Sequence, residues 1–186
     1  MSYLSQELFS LFPSPQSLIT SPFLQLDAKE NADNNINMVD SSVLGRYPLF
    51  DGLEKEQIER ILPLMDHEVF EAGTDIIVEG SLSNKLRFIL EGNVAVVKNG
   101  VILTELKEGD VFGEMEVLDV GPVEATVKTL VSTSVIALSI DALGDIYESD
   151  LEIYSFLLMN LARDLSRRLR RMDNKTANHS PYMEWN

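Results

Sequence analysis

Residues 106–127 read LKEGDVFGEMEVLDVGPVEATV, and most of what this chain can be is decided there. Gly113-Glu114 opens a short apolar turn, Gly121-Pro122 makes a corner, and Val123-Glu124 follows. Glycine lets a backbone come close to a ligand, and the free amides at the start of a short helix attract an anion. Where a positive charge would complete such a cradle, the chain places a valine and a carboxylate. The stretch has the form of an anion site without its cation.

Moving outward, the flanks are short runs of β-branched and aromatic residues cut by glycine. EVFEAGTDIIVEGS and KLRFILEGNVAVVKNGVILTELKEGDVFGE lie upstream, and ATVKTLVSTSVIALSI lies downstream. Val94 and Val96 on one side and Val101 and Leu103 on the other flank Asn99-Gly100, a strong signal for a two-residue hairpin. Short strands at regular spacing, with glycine at 73, 80, 92, 100, 109, 113 and 121, predict a mainly β sandwich or jelly-roll barrel. Helices are expected on both sides of it. Asp51-Gly-Leu-Glu54 fits a capping box, followed by an apolar stripe at Leu53, Ile58, Ile61, Leu62 and Met65. After the strands, helical structure starts near Asp141, and a longer helix is predicted from about Asp150 to Met172. Its apolar positions Tyr154, Leu158, Leu161, Leu165, Leu169 and Met172 step by three or four. Part of that stripe can cover the barrel, and the rest is long enough to pair with a second copy, so a homodimer through this helix is expected.

The pattern suggests three segments. Residues 1–43 are rich in Ser, Asn and Asp and are expected to be largely flexible, with one amphipathic helix carried by Leu4, Leu8, Leu11 and Phe12. Residues 44–173 form the domain, and 174–186 form a polar tail. Charge is distributed unevenly. The chain carries a net −15, yet RDLSRRLRRMDNK (163–175) holds six basic groups against two acidic ones. The acidic bulk argues against DNA binding and against an anionic membrane surface, and the basic cluster suits the negative pole at a helix C-terminus. With no cysteine and two histidines (His67 and His179), thiolate chemistry and a zinc finger are excluded. Without a signal peptide or a long apolar run, a cytoplasmic location is expected.

The order helix, eight short strands with LRFILEGNVAVV, the 106–127 segment and a closing helix with LARDLSRRLR resembles the cyclic-nucleotide-binding domain. This is the sensor module of catabolite activator proteins, protein kinase A regulatory subunits and nucleotide-gated channels. The resemblance spans about residues 47–172 and implies an eight-stranded jelly-roll barrel. It also implies that Phe112, Gly113, Glu114 and Met115 open the phosphate-binding cassette, with Glu114 accepting from a ribose hydroxyl. The family then has Pro-Arg, a small residue and Ala-Thr-Val, the arginine gripping the phosphate. Here the line is Pro122, Val123, Glu124, Ala125, Thr126, Val127. Loss of one partner of a largely buried ion pair costs about 3–5 kcal/mol, so a cyclic nucleotide is expected to bind weakly if at all, and no cofactor is assigned. Lys128, Arg163 and Arg167 are candidates to restore the charge.

The function that follows is that of a non-enzymatic regulatory module with a degenerate cassette, acting through dimerisation and a protein partner. The alternative is a working sensor of cyclic AMP, cyclic GMP or a cyclic dinucleotide that switches a partner through its C-terminal helix. No nucleophile has a neighbouring base, so an enzyme is not expected.

Overall fold

The computed structural model describes residues 40–119 and 121–179. The N-terminal amphipathic segment and the end of the tail lie outside the described residues. Helix α1 (Ser41–Leu44) and a 3-10 turn at Pro48–Phe50 precede α2 (Lys55–Ile61), which a second 3-10 turn (Leu62–Leu64) ends. The box at the start of α2 sits three residues later than the sequence suggests. Glu54, not Asp51, is the N-cap, and its N–H donates to Gln57 Oε1 at 2.8 Å. Asp51-Gly52 is instead used up in a turn with Gly52 at φ 85°.

Eight strands follow: β1 (Asp66–Phe70), β2 (Asp75–Ile77), β3 (Lys85–Glu91), β4 (Asn93–Lys98), β5 (Val101–Lys107), β6 (Val111–Phe112), β7 (Thr126–Thr129) and β8 (Thr133–Ser139). They form two four-stranded antiparallel sheets, ordered β1-β8-β3-β6 and β2-β7-β4-β5, the jelly-roll arrangement that the family resemblance implies. Asn99 and Gly100 both have positive φ, at 52° and 77°, so the β4–β5 hairpin turns in two residues with Lys98 opposite Val101. β5 departs from the usual in-out pattern. Val101, Ile102 and Leu103 are exposed, and only Leu106 is buried.

Side-chain alternation separates two cores. On β8, Val135 faces the barrel interior with Ile89, Val94, Phe112 and Val127, while Ile136 and Leu138 face the helices. Leu86 and Phe88 of β3 join that second core, where they meet Phe50, Ile58, Ile146 and Ile153. Each fully buried side chain of this size contributes about 1.5–3 kcal/mol, so the helical layer is fastened to the first sheet. At the edge of the same sheet an ionic cluster joins β1 to β3: Lys85 Nζ lies 2.9 Å from Asp66 and 2.8 Å from Glu68, and Arg87 Nε lies 2.8 Å from Glu68.

Helix α3 (Glu114–Leu118) follows β6, and two helices close the domain: α4 (Ile140–Ser149), capped by Ser139, and α5 (Leu151–His179). The α5 helix runs seven residues past Met172. Its buried face is also rotated from the predicted stripe. Ile153, Leu157, Asn160 and Leu161 are buried, whereas Tyr154 and Leu158 are only half-buried. The reason is Asn160. Its amide donates to the carbonyls of Leu49 (3.0 Å) and Asp51 (2.7 Å), tying the helix to the first 3-10 turn and drawing a polar residue into the apolar face.

Candidate functional site

The cassette is built on backbone geometry that glycine alone supplies easily. Gly113 is the N-cap of α3 with φ 76° and ψ 10°, and the position where its Cβ would stand is 2.5 Å from the Lys85 carbonyl oxygen. This close approach brings the start of α3 against β3. On the other side of the site, the 121–125 loop is fixed by two backbone bonds. Val123 N–H donates to Ser81 (2.9 Å), and Gly80 N–H donates to Val123 (2.8 Å). Val123 is thereby held with its side chain buried in the barrel core beside Ile77 and Val127.

Between these walls lies a cavity of about 520 Å³. The sheets contribute Ile77, Val96, Leu106, Phe112 and Val127, and α5 contributes Leu165, Leu169 and Met172. Of the cassette positions singled out from sequence, Phe112, Gly113, Glu114, Met115, Val123, Glu124 and Ala125 all line it. Thr126 is not among the lining residues, and its hydroxyl accepts from Glu79 N–H at 3.0 Å. Of the six residues of the predicted helix stripe, the last three line the cavity and Leu161 packs into the helical core.

The charges are arranged differently from the sequence expectation. Lys128 pairs with Asp75 at 3.1 Å, Arg163 donates to Asn160 Oδ1 at 2.9 Å, and Arg167 pairs with Asp164 at 3.2 Å. None of the three lines the cavity. Lys98 reaches Glu124 at 3.1 Å across the barrel edge. Among the described residues that line the cavity, the one cation is Arg168, which sequence reasoning passed over. Its guanidinium lies 3.0 Å from Glu114 Oε1 and 2.7 Å from Asp164 Oδ2, and it donates to the Val111 carbonyl. A signal was available, because Leu161, Leu165, Arg168 and Met172 step by four, three and four and so share one face. Within a cluster of five arginines that suits a helix C-terminus, that one position was not distinguished.

Glu114 is buried, with its side chain 7% exposed. Burial pushes its carboxyl above the ordinary carboxylate range, and the Arg168 guanidinium acts in the opposite direction. The group that the resemblance makes a ribose acceptor is therefore already engaged by the chain's own helix. Among the described residues no cluster of three or more His, Asp or Glu could hold a metal ion, and no helix is long and apolar enough to cross a membrane.

Comparison with known proteins agrees with this architecture. A "CRP-like cAMP-activated global transcriptional regulator" of Mycobacterium tuberculosis is 29% identical over 140 residues, covering 73% of this chain and 61% of that protein. The chain thus spans less than two thirds of the length of that relative. Among solved structures, a cyclic nucleotide-binding domain from Methylobacillus flagellatus KT superimposes with a TM-score of 0.68 at 22% identity, covering 78% of this chain and 85% of that one. The Thermus thermophilus catabolite activator protein does so with 0.59 at 28% identity, covering 70% and 62%. Residues 67–150 match the family model of the cyclic nucleotide-binding domain. The barrel just described thus has the jelly-roll fold of these cyclic nucleotide-binding domains, and its residues 67–150 carry the match to that domain's family model.

Proposed function

We propose that this domain is a non-enzymatic regulatory module of the cytoplasm whose pocket has lost its grip on a cyclic phosphate. It acts through protein contacts made by α5, with a second copy of the chain as the first of them. The observation that carries this reading is the charge inventory of the cavity: three carboxylates, Glu114, Glu116 and Glu124, and one guanidinium line it, the guanidinium is paired with Glu114, and Glu124 is paired with Lys98. A cyclic phosphate entering here meets like charge from Glu116, finds Val123 where the family's arginine would reach it, and competes with Glu114 for Arg168. Leu169 and Met172 are 60% and 64% exposed on α5, which supports pairing of that helix with an apolar partner surface. The net charge of −15 favours a protein partner over DNA.

Titration calorimetry with cyclic AMP, cyclic GMP and cyclic di-GMP tests the pocket. The unmodified chain is expected to give no heat at micromolar ligand, and Val123→Arg is expected to raise affinity for a cyclic mononucleotide at least about tenfold, the return on one charge-assisted contact. Micromolar binding by the unmodified chain would overturn the reading in favour of an ordinary sensor. The dimer is tested by light scattering, in which Leu169→Glu together with Met172→Glu is expected to leave a monomer.

A further inference from the structure

The cavity is too well formed to be only the remnant of a site. We infer that it takes an uncharged, predominantly apolar small molecule. This rests on the reading above, that the cassette no longer holds a phosphate, and it goes further by assigning the chemical class of ligand that the same walls accept.

The first argument is size and surface. A volume of about 520 Å³ falls in the range of about 300–1,000 Å³ typical of small-molecule sites. Both sheets and the middle of α5 present hydrocarbon to it: Ile77, Leu106, Phe112 and Val127 from the barrel, Leu165 and Leu169 from the helix. Apolar surface enclosed in this way is favourable to cover, at about 25 cal/mol per Å² removed from water.

The second argument is charge. Arg168, the one cation among the described lining residues, is already paired with Glu114, and Glu124 is taken by Lys98, so an anion finds no unpaired positive charge on the lining while Glu116 opposes it. The one lining side chain with a neutral polar group is Thr104, whose hydroxyl can anchor a neutral donor or acceptor.

The third argument is the state of the helix. Arg168 bonds to Glu114 and to the Val111 carbonyl, and this holds Leu165, Leu169 and Met172 beside the barrel mouth without help from a ligand. A ligand that used the Glu114 carboxylate, as a sugar hydroxyl would, has to share it with Arg168. A neutral apolar molecule fills the space beside the intact clasp and leaves no buried charge uncompensated.

A matched pair of fluorescent probes separates these properties. N-phenyl-1-naphthylamine is neutral, and 1-anilinonaphthalene-8-sulfonate has the same ring skeleton with one added sulfonate. Titrated into the full chain, the neutral probe is expected to bind one to one at micromolar concentration, and the sulfonate at least about tenfold more weakly. Ala125→Trp, which fills the cavity from the loop side, is expected to weaken the neutral probe at least about tenfold. Leu169→Trp, at an exposed position on α5 that tolerates a large side chain, gives the same reading from the opposite wall should the first variant fail to fold. Glu124→Lys is expected to narrow the preference for the neutral probe over the sulfonate by about threefold or more. No binding of the neutral probe, sulfonate binding as tight as neutral, or neutral binding unmoved by both tryptophans would overturn the inference. These outcomes are separable from failure of the reading beneath it, which is decided by the nucleotide titration alone.

Discussion

Replacing Arg168 with alanine is expected to destabilise the folded chain by about 3 kcal/mol, the lower end of the range for removing one partner of a buried ion pair. Two groups lose their Arg168 contact outright, the Glu114 carboxylate, whose side chain is 7% exposed, and the Val111 carbonyl, while Asp164 keeps only Arg167. The loss should appear as a lower midpoint of urea unfolding with an unchanged slope, and as faster amide exchange in α5 beyond Leu161, where the clasp was the main tie to the barrel. Two further measurements separate the ion pair from simple loss of packing. Adding Glu114→Gln to Arg168→Ala is expected to recover much of the deficit, because the uncompensated buried charge is gone. The pH dependence has a definite sign. The Glu114 carboxyl already lies above the ordinary range because it is buried, and without Arg168 it moves higher. A carboxyl raised in this way takes up its proton in the folded chain before it does so in the unfolded one, so stability falls as pH rises through the folded value. The deficit of Arg168→Ala is therefore largest near neutrality and shrinks as the pH drops towards the ordinary carboxylate range. A deficit indifferent to both acid and Glu114→Gln would mean that Arg168 acts only by packing.

What could be read from the sequence was whatever is set by local chemistry. Asn99-Gly100 demands two consecutive positive φ angles, which few other pairs supply, so the hairpin was visible in two letters. The same holds for the glycines that punctuate the strands, whereas the Phe112-Gly113-Glu114 opening of the cassette was read from the resemblance to the family. What escaped depends on contacts distant along the chain. Arg168 and Glu114 are separated by 54 positions, and nothing near either residue announces the other. Asn160 reads as an interruption of an apolar stripe until the carbonyls of Leu49 and Asp51 are placed beside it, and its anchoring role then explains why Ile153 and Leu157 are buried instead of Tyr154 and Leu158. The outward-facing apolar residues of β5 could not be told from core residues by composition, since Val101, Ile102 and Leu103 are as hydrophobic as their buried counterparts.

The second large effect is expected at Gly113, where one methyl group should cost about 3 kcal/mol and distort the cavity as well. Two penalties add there. A non-glycine residue at φ 76° pays about 1–2 kcal/mol for the left-handed backbone. The new Cβ also stands 2.5 Å from the Lys85 carbonyl oxygen, a clash of the kind that costs about 1–3 kcal/mol when the neighbour must move. Lys85 has little freedom to retreat. It is in register with Ser139 on β8, and its ammonium is held by Asp66 and Glu68. The start of α3 has to give way, and with it the position of Glu114 relative to Arg168. Gly100→Ala isolates the backbone part of the penalty, because Gly100 has nearly the same φ, 77°, with nothing within 4 Å of the added Cβ. It is expected to cost about 1–2 kcal/mol and to leave the neutral-probe titration untouched, whereas Gly113→Ala is expected to cost at least about 1 kcal/mol more and to weaken that probe. If urea unfolding gives the two alanines equal costs, the approach of α3 to β3 is looser than 2.5 Å implies, and the cassette is positioned by the Arg168 clasp instead of by the glycine that opens it.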